Sequence, residues 1–175
     1  MASMGTTSDL TRFAGTWALD PERTTVEFHT KAMWVLPVKG RAKALSGEAQ
    51  INPDGEVNGR LVIDASSFDT KNRKRDDHLR TADFFEVDKF PTIEFKATQA
   101  RPAGTGLVEV AGDLTVHGVT KPLTLQAEVS ESGNSATVST EVEIDRSLWG
   151  VDWAKFGTGL KNNVKITAHF ERRQS

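Results

Sequence analysis

The stretch LVEVAGDLTVHGVTKPLTLQAEV, residues 107–129, decides the fold of this chain. Apolar and polar residues alternate on both sides of a His117-Gly118 turn, which is typical of two half-buried strands joined by a tight hairpin. The residues that share the apolar face are Val108, Val110, Gly112, Leu114 and Val116, then Leu123, Leu125, Ala127 and Val129. We therefore predict an antiparallel hairpin with one dry and one wet face.

The same alternation extends outward from this hairpin over almost the whole chain. Turn sequences rich in Gly, Pro and Asn separate the alternating segments at 52–55, 102–106 and 131–134. About eight antiparallel strands result, and such a set forms either a sandwich or a closed barrel. A change of phase near Leu45 and Ser46 predicts a β-bulge.

The composition is that of a single soluble domain. The chain has 175 residues, no cysteine and a formal net charge of -2, which provides no general attraction for nucleic acid or anionic membranes. No apolar run approaches the ~18 residues of a membrane span, and a signal-peptide pattern is absent. These features predict a cytoplasmic protein without membrane insertion. We expect a flexible tail at residues 1–14 and one β domain at residues 15–175.

Small residues are frequent on the apolar faces of the predicted strands. In an eight-stranded barrel they allow either a cavity for one small ligand or a tapered interior filled by alternating small and large side chains. The pattern leaves both arrangements open. The small residues in phase are Ala32, Gly40, Ala42, Ala44, Ala49, Gly59, Ala65, Ala97, Gly112, Ala127, Ala136 and Ala168.

Two segments of the sequence lack the alternation of apolar and polar residues. Residues 71–85 predict a short helix capped by Thr70 or Asn72, with an Asp76–Arg80 ion pair and an apolar side that covers a barrel end. Residues 145–163 place two tryptophans among glycines just before the last strand. The tryptophans of this second segment are expected to line a pocket mouth or a partner surface, or to fill the core.

The polar cluster Asp76-Asp77-His78 resembles a metal or catalytic site only at first sight. Successive helical side chains point about 100° apart, so at most one or two of the three could face a common ion, and an ion-paired connector is the simpler interpretation. The basic run at 71–75 is either a solvated face or an anchor for an anionic head group. Serine-hydrolase, zinc-protease and phosphate-loop patterns are absent, so we predict neither catalytic residues, metal nor cofactor.

Two sequence blocks resemble the signature of the YceI-like family, the polyisoprenoid-binding, lipocalin-like domains. The first block is RDDHLRTADFFEVDKFPTIEF, residues 75–95, and the second is GDLTVHGVTKPLTL, residues 112–125. The resemblance begins near Trp17 and reaches the last strand. Its structural signature residues are Arg75, Asp76, His78, Arg80, Asp83, Asp113 and Lys121.

The resemblance implies an all-β fold, an extended eight-stranded antiparallel lipocalin-like barrel with a helical excursion around residues 71–85. It further implies a non-enzymatic lipid carrier that holds a polyprenyl chain, an isoprenoid quinone or its precursor, or a fatty acid derivative. Many members are periplasmic, and many are homodimers. This chain departs from the usual pattern at Ala32, Trp34 and Ala42, so we expect a reshaped lining.

Placing this fold on the alternation predicts which residues line the ligand channel, with the two loop tryptophans near an opening. They are Phe28, Trp34, Leu61, Ile63, Phe95, Val110, Leu114, Leu125, Val142, Trp149, Trp153 and Ile166. One alternative is a protein-interaction or stress-related module with a filled barrel. Another is an enzyme that uses His78 with an aspartate.

Overall fold

The computed structural model describes residues 11–33, 35–54, 56–155 and 158–173. This part of the chain contains one α-helix, α1 (Arg73–Leu79), and three short 3₁₀ helices at Thr11–Phe13, Pro21–Arg23 and Arg146–Trp149. Its strands are β1 (Gly15–Leu19), β2 (Thr25–Ala32), β3 (Leu36–Ile51), β4 (Glu56–Asp69), β5 (Thr92–Gly104), β6 (Leu107–Val116), β7 (Val119–Ser132), β8 (Ser135–Asp145) and β9 (Lys161–Arg172).

The strands close into an antiparallel barrel of eight positions. From β3 the ring runs through β2, β9, β8, β7, β6, β5 and β4, and β4 pairs back with β3. β1 and β2 share one position between β3 and β9, since β1 pairs with residues 48–51 of β3 while β2 pairs with residues 36–42. The 3₁₀ helix at Pro21–Arg23 separates the two pieces. The prediction of an eight-stranded barrel is confirmed.

The strands are long, which makes the barrel an extended one. β3 has 16 residues, or roughly 50 Å along the strand at about 3.3 Å per residue. The register between β3 and β4 shifts between Ala44 and Ser46, so the predicted bulge is confirmed, and it shifts again between Arg41 and Lys43. After the bulge the inward phase changes, so that both Ala44 and Ala49 contribute to apolar clusters.

The two ends of the barrel are covered differently. The end that carries α1, called the α1 end below, also carries the long connections 70–91 and 146–160. Phe68, Phe84, Trp149 and Val151 belong to the apolar cluster that fills this end. At the opposite end, called the Trp17 end, a smaller cluster forms around Phe13, Trp17 and Ala136.

The N-terminal segment contributes to the Trp17 end. The predicted tail extends to residue 14, and within it residues 11–13 form a 3₁₀ helix in which Phe13 is buried. Trp17 donates its indole N–H to the carbonyl of Phe13 at 2.8 Å. Arg172 donates to the carbonyl oxygens of Ala14 and Arg12 at 2.7 and 2.9 Å. Residues 1–10 lie outside the described part of the chain.

A glycine opposite an aromatic ring shapes the wall near the α1 end. Phe28 in β2 pairs in register with Gly40 in β3, and a Cβ atom at position 40 would lie 2.2 Å from the ring. The ring also packs edge-on against Phe68, with the ring centroids 5.1 Å apart. Position 40 therefore requires glycine because the ring occupies the space of a side chain.

We expect Gly40→Ala to destabilise the protein by about 1–3 kcal/mol, since overpacking must displace a buried ring. Urea unfolding followed by fluorescence measures the change. The matched control is Gly59→Ala in β4, where a Cβ atom would lie 3.4 Å from its nearest neighbour. Equal stability of the two variants would contradict the proposed role of Gly40.

Candidate functional site

The barrel encloses an elongated cavity of about 980 Å³. Its wall includes Phe13 and Trp17 at one end and Phe84 and Trp153 at the other, so the cavity runs between the two end clusters. Ligand pockets typically measure ~300–1,000 Å³, and this cavity lies at the upper limit of that range. The interior is therefore hollow, and the premise of a filled barrel does not hold.

Apolar side chains from the strands form most of the cavity wall. The structure places along it every described residue of the predicted lining, and Trp34 lies outside the described residues. Whether these side chains contact a ligand stays a prediction. Those on the wall are Phe28, Leu61, Ile63, Phe95, Val110, Leu114, Leu125, Val142, Trp149, Trp153 and Ile166.

Small residues on the inner face of the barrel leave room for the cavity. Seven of the twelve small residues noted in the sequence line the cavity, namely Ala32, Ala49, Gly59, Ala97, Ala127, Ala136 and Ala168. Other small residues serve close packing instead. At Gly112 a Cβ atom would lie 2.2 Å from the carbonyl oxygen of Lys96, so glycine permits the approach of β5.

Several separate hydrogen bonds from polar side chains hold the helix α1 in place. Asn72 caps it by accepting a hydrogen bond from the backbone N–H of Arg75 at 3.0 Å. The buried carboxylate of Asp76 accepts from both the backbone N–H and the hydroxyl of Thr70, at 2.9 and 2.6 Å. Arg75 donates to the same Thr70 hydroxyl and carbonyl at 2.8 and 3.1 Å. These contacts tie the helix to the end of β4.

The predicted Asp76–Arg80 ion pair is wrong, because Asp76 turns toward Thr70 and Arg80 pairs with Asp77 at 2.9 Å. Arg80 also donates to the carbonyl of Ser66 at 3.1 Å. The remaining signature residues of the second block, Asp113 and Lys121, lie on the neighbouring strands β6 and β7.

His78 joins the polar connector to the aromatic wall. Its Nε2 lies 2.8 Å from a carboxylate oxygen of Asp83. Its ring packs edge-on against Phe84 and Trp153, with centroid distances of 5.0 and 4.6 Å. Beside this group, Phe68 and Phe85 stack with ring centroids 4.5 Å apart. The aromatic side chains of the long connections thus cover the α1 end, as the apolar side of residues 71–85 predicted.

The two loop tryptophans differ in their surroundings. Trp149 is buried and donates its indole N–H to the carbonyl of Leu114 at 2.8 Å. Trp153 is half-buried among the aromatic side chains of the α1 end. Trp149 thus fixes the 146–160 connection to β6, while Trp153 lies closer to the surface.

Arg146 is a charged residue that the sequence analysis did not single out. It is only 9% exposed and belongs to the cavity wall. It donates to the carbonyl oxygens of Gly159 and Val151 at 3.0 and 2.7 Å, and its guanidinium lies 5.1 Å from the centre of the Phe84 ring. Burial lowers the pKa of this guanidinium, while Asp145 and Asp152 act in the opposite direction. The residue stays charged because arginine is protonated in proteins.

His117 and Glu86 link the long connection to the β6–β7 hairpin. Nε2 of His117 lies 3.0 Å from a carboxylate oxygen of Glu86. That hydrogen bond, assisted by the charge of Lys89, holds the pKa of Glu86 below its usual 4.5, although partial burial opposes the shift. Both residues adopt positive φ, 53° and 48°. The sequence places His117 in a tight turn and provides no sign of this partner, which lies 31 residues away.

We expect His117→Asn to return the pKa of Glu86 toward 4.5, since the dominant hydrogen bond is lost while asparagine tolerates the left-handed backbone. A carboxyl-carbon NMR titration measures it. Because the pKa of Glu86 is lowered in the folded state, the contact stabilises the fold above the unfolded pKa and is lost as pH falls through the folded one. An unchanged Glu86 pKa in the variant would contradict this assignment.

Within the described residues, no group of three or more His, Asp or Glu side chains is arranged to hold a metal ion. Among the same residues, no helix has the length and apolar character needed to cross a bilayer.

Comparison with known proteins assigns this geometry to a family. A family model described as the YceI-like domain matches residues 17–172. A UPF0312 protein of Vibrio parahaemolyticus is 40% identical over 101 residues, which cover 55% of this chain and 52% of that protein. A UPF0312 protein of Vibrio cholerae is 36% identical over 110 residues, 62% and 58% of the two chains. The chain spans about half the length of the curated relatives it matches.

Solved structures share the fold. The BcnA protein of Burkholderia cenocepacia superposes with a TM-score of 0.78 at 23% identity, covering 86% of this chain and 98% of BcnA. A polyisoprenoid binding domain from Saccharophagus degradans, implicated in plant cell wall breakdown, gives a TM-score of 0.72 at 17% identity, covering 90% and 98%. These identities show a common barrel architecture.

Proposed function

Since this chain belongs to the YceI-like domain family, we propose that it is a non-enzymatic carrier that binds one long apolar molecule inside the barrel. The ligand classes are a polyprenyl chain, an isoprenoid quinone or its precursor, and a fatty acid derivative. The observation that carries the proposal is the cavity of about 980 Å³, which has a mainly apolar wall and runs between the two end clusters. The Saccharophagus protein with the same fold is a polyisoprenoid binding domain, which supports the same ligand class.

The shape of the cavity favours a chain rather than a compact ligand. An extended barrel limits the width of the interior, because eight strands leave room for side chains or one slender molecule. Burial of each methylene contributes about 0.8 kcal/mol, from which the cost of immobilising the chain is subtracted. The length of the chain therefore determines affinity until the cavity is full.

Two further interpretations receive less support. The interaction module depended on a filled interior, and the interior is hollow. His78 and Asp83 form a hydrogen-bonded pair, but both contribute to the connector that holds the aromatic cover. The homodimer implied by the resemblance stays a prediction.

Affinity is expected to rise about fourfold for each added methylene, the equivalent of about 0.8 kcal/mol, in a series of unbranched alcohols of increasing length. The rise should stop when the cavity is full. Displacement of a neutral fluorescent naphthylamine dye measures the affinities. A protein that binds neither alcohols, fatty acids nor polyprenols would contradict the proposed function.

Narrowing the middle of the cavity should shorten the preferred ligand. We expect Ala97→Phe to weaken the longest ligands at least tenfold, about 1.4 kcal/mol, while ligands short enough to avoid the new ring lose less. The control is Lys96→Phe, at the neighbouring exposed position of β5. If both variants show the same length preference as the unmodified protein, the chain does not occupy the interior beside Ala97.

A further inference from the structure

Within the described residues, the titratable side chains of the cavity wall at the α1 end are all of the basic type. Lys31, Lys74, Arg75, His78 and Arg146 line this end. The other charged residues of the wall, Glu48 and Arg60, lie on the halves of β3 and β4 nearer the Trp17 end and pair in register. The α1 end therefore presents one sign of charge to an otherwise apolar interior.

The neighbouring carboxylates of α1 and its loop are engaged elsewhere. Asp76 accepts hydrogen bonds from Thr70 at 2.6 and 2.9 Å, and Asp77 pairs with Arg80 at 2.9 Å. Asp83 pairs with Nε2 of His78 at 2.8 Å. None of these three carboxylates belongs to the cavity wall.

Among the basic residues of the cavity wall, Arg146 would gain most from a negatively charged group in the cavity. It is the most buried of the five basic residues, and the ion pairs among the described residues do not include it. Asp145 and Asp152 lie close enough to act on its charge, but neither carboxylate belongs to the cavity wall. Nη2 of Arg146 forms no hydrogen bond to any described residue and exposes less than 1 Å². The charges of Asp145 and Asp152 offset part of the cost of burying this guanidinium, and a negative group inside the cavity would offset more of it.

We propose that the α1 end of the cavity binds the anionic head group of the ligand, a carboxylate or a phosphate, with Arg146 as its buried countercharge. This inference rests on the proposed binding of a long apolar molecule and adds its head group and direction. The head lies at the α1 end between Lys31, Lys74 and Arg146, and the tail extends toward Trp17. Nη2 is enclosed, so a direct hydrogen bond requires the adjacent side chains to move, whereas charge attraction through the low-dielectric wall does not.

The test compares hexadecanoic acid and hexadecyl phosphate with hexadecan-1-ol, three ligands with the same apolar tail. Affinities are measured by displacement of the neutral naphthylamine dye at about pH 8, where carboxylates are ionised. The unmodified protein should bind at least one of the two anions about tenfold more tightly than the alcohol. Their relative affinity shows whether carboxylate or phosphate is preferred.

Variants of the basic residues test whether the preference for anionic ligands over the alcohol arises at the α1 end. Arg146→Gln should reduce the anion-to-alcohol ratio to within about twofold of one, and Arg146→Lys should retain most of it because the charge is kept. The double variant Lys31→Gln with Lys74→Gln changes only exposed side chains, and a partial loss of the ratio is expected there even if the Arg146 variants fail to fold. The control Lys165→Gln removes one charge from the outer face of β9 and should leave the ratio unchanged.

The outcomes separate this inference from the proposed function. Equal binding of acid, phosphate and alcohol by the unmodified protein overturns the head-group assignment and leaves lipid binding intact. An anion preference that survives both Arg146→Gln and the double lysine variant also overturns it. Failure of all three ligands to bind contradicts the proposed function and the head-group assignment together.

Discussion

Every strand of this barrel must satisfy backbone hydrogen bonds on both of its sides, and that requirement closes the sheet into a ring of eight positions. The ring limits the width of the interior, so the side chains on its inner face decide whether space remains. Alanines and glycines such as Ala97, Ala127 and Gly59 keep the interior open, while larger aliphatic residues make its surface apolar. The cavity is thus a consequence of closure combined with small inward residues.

The contrast between the two ends follows from what connects the strands. The hairpins at the Trp17 end are short, whereas the connections 70–91 and 146–160 at the α1 end are long enough to fold back over the barrel. Their contacts are partly polar and specific, as between Thr70 and Asp76, and partly aromatic, as between Phe84 and Trp153. The polar contacts fix the position of the connections, and the aromatic rings form part of the cavity wall at this end.

Much of the architecture was predictable from period-two alternation. The antiparallel strands and the bulge near Leu45 follow from which residues share a face, because that is a local property of a strand. The choice of a barrel over a sandwich, and with it the described part of the wall, came from the family resemblance. The cavity itself was not predictable, since a filled and a hollow interior use the same alternation. The prediction of an Asp76–Arg80 ion pair was wrong because it considered only the spacing of the two residues along the helix. Thr70, just after β4, donates hydrogen bonds to Asp76 from both its backbone N–H and its hydroxyl. Arg146 and the Glu86–His117 contact depend on residues far apart in the chain, for which alternation provides no signal.

The Trp17 end differs from the α1 end in which segments of the chain cover it. It is closed by Phe13 and Trp17, which reach the barrel from a 3₁₀ helix and from the short strand β1, separated from β2 by the break at Pro21–Arg23. Along β2 the ring is closed by pairs with β3 and β9, and toward the Trp17 end β1 takes over that position with its own pairs to the same two strands. The depth of the cavity at this end is therefore set by the side chains of Phe13 and Trp17, and substitutions of these two side chains can change the longest accommodated chain while the backbone pairs of the ring remain the same. Ligand length and barrel closure thus depend on different atoms, even where both are provided by β1.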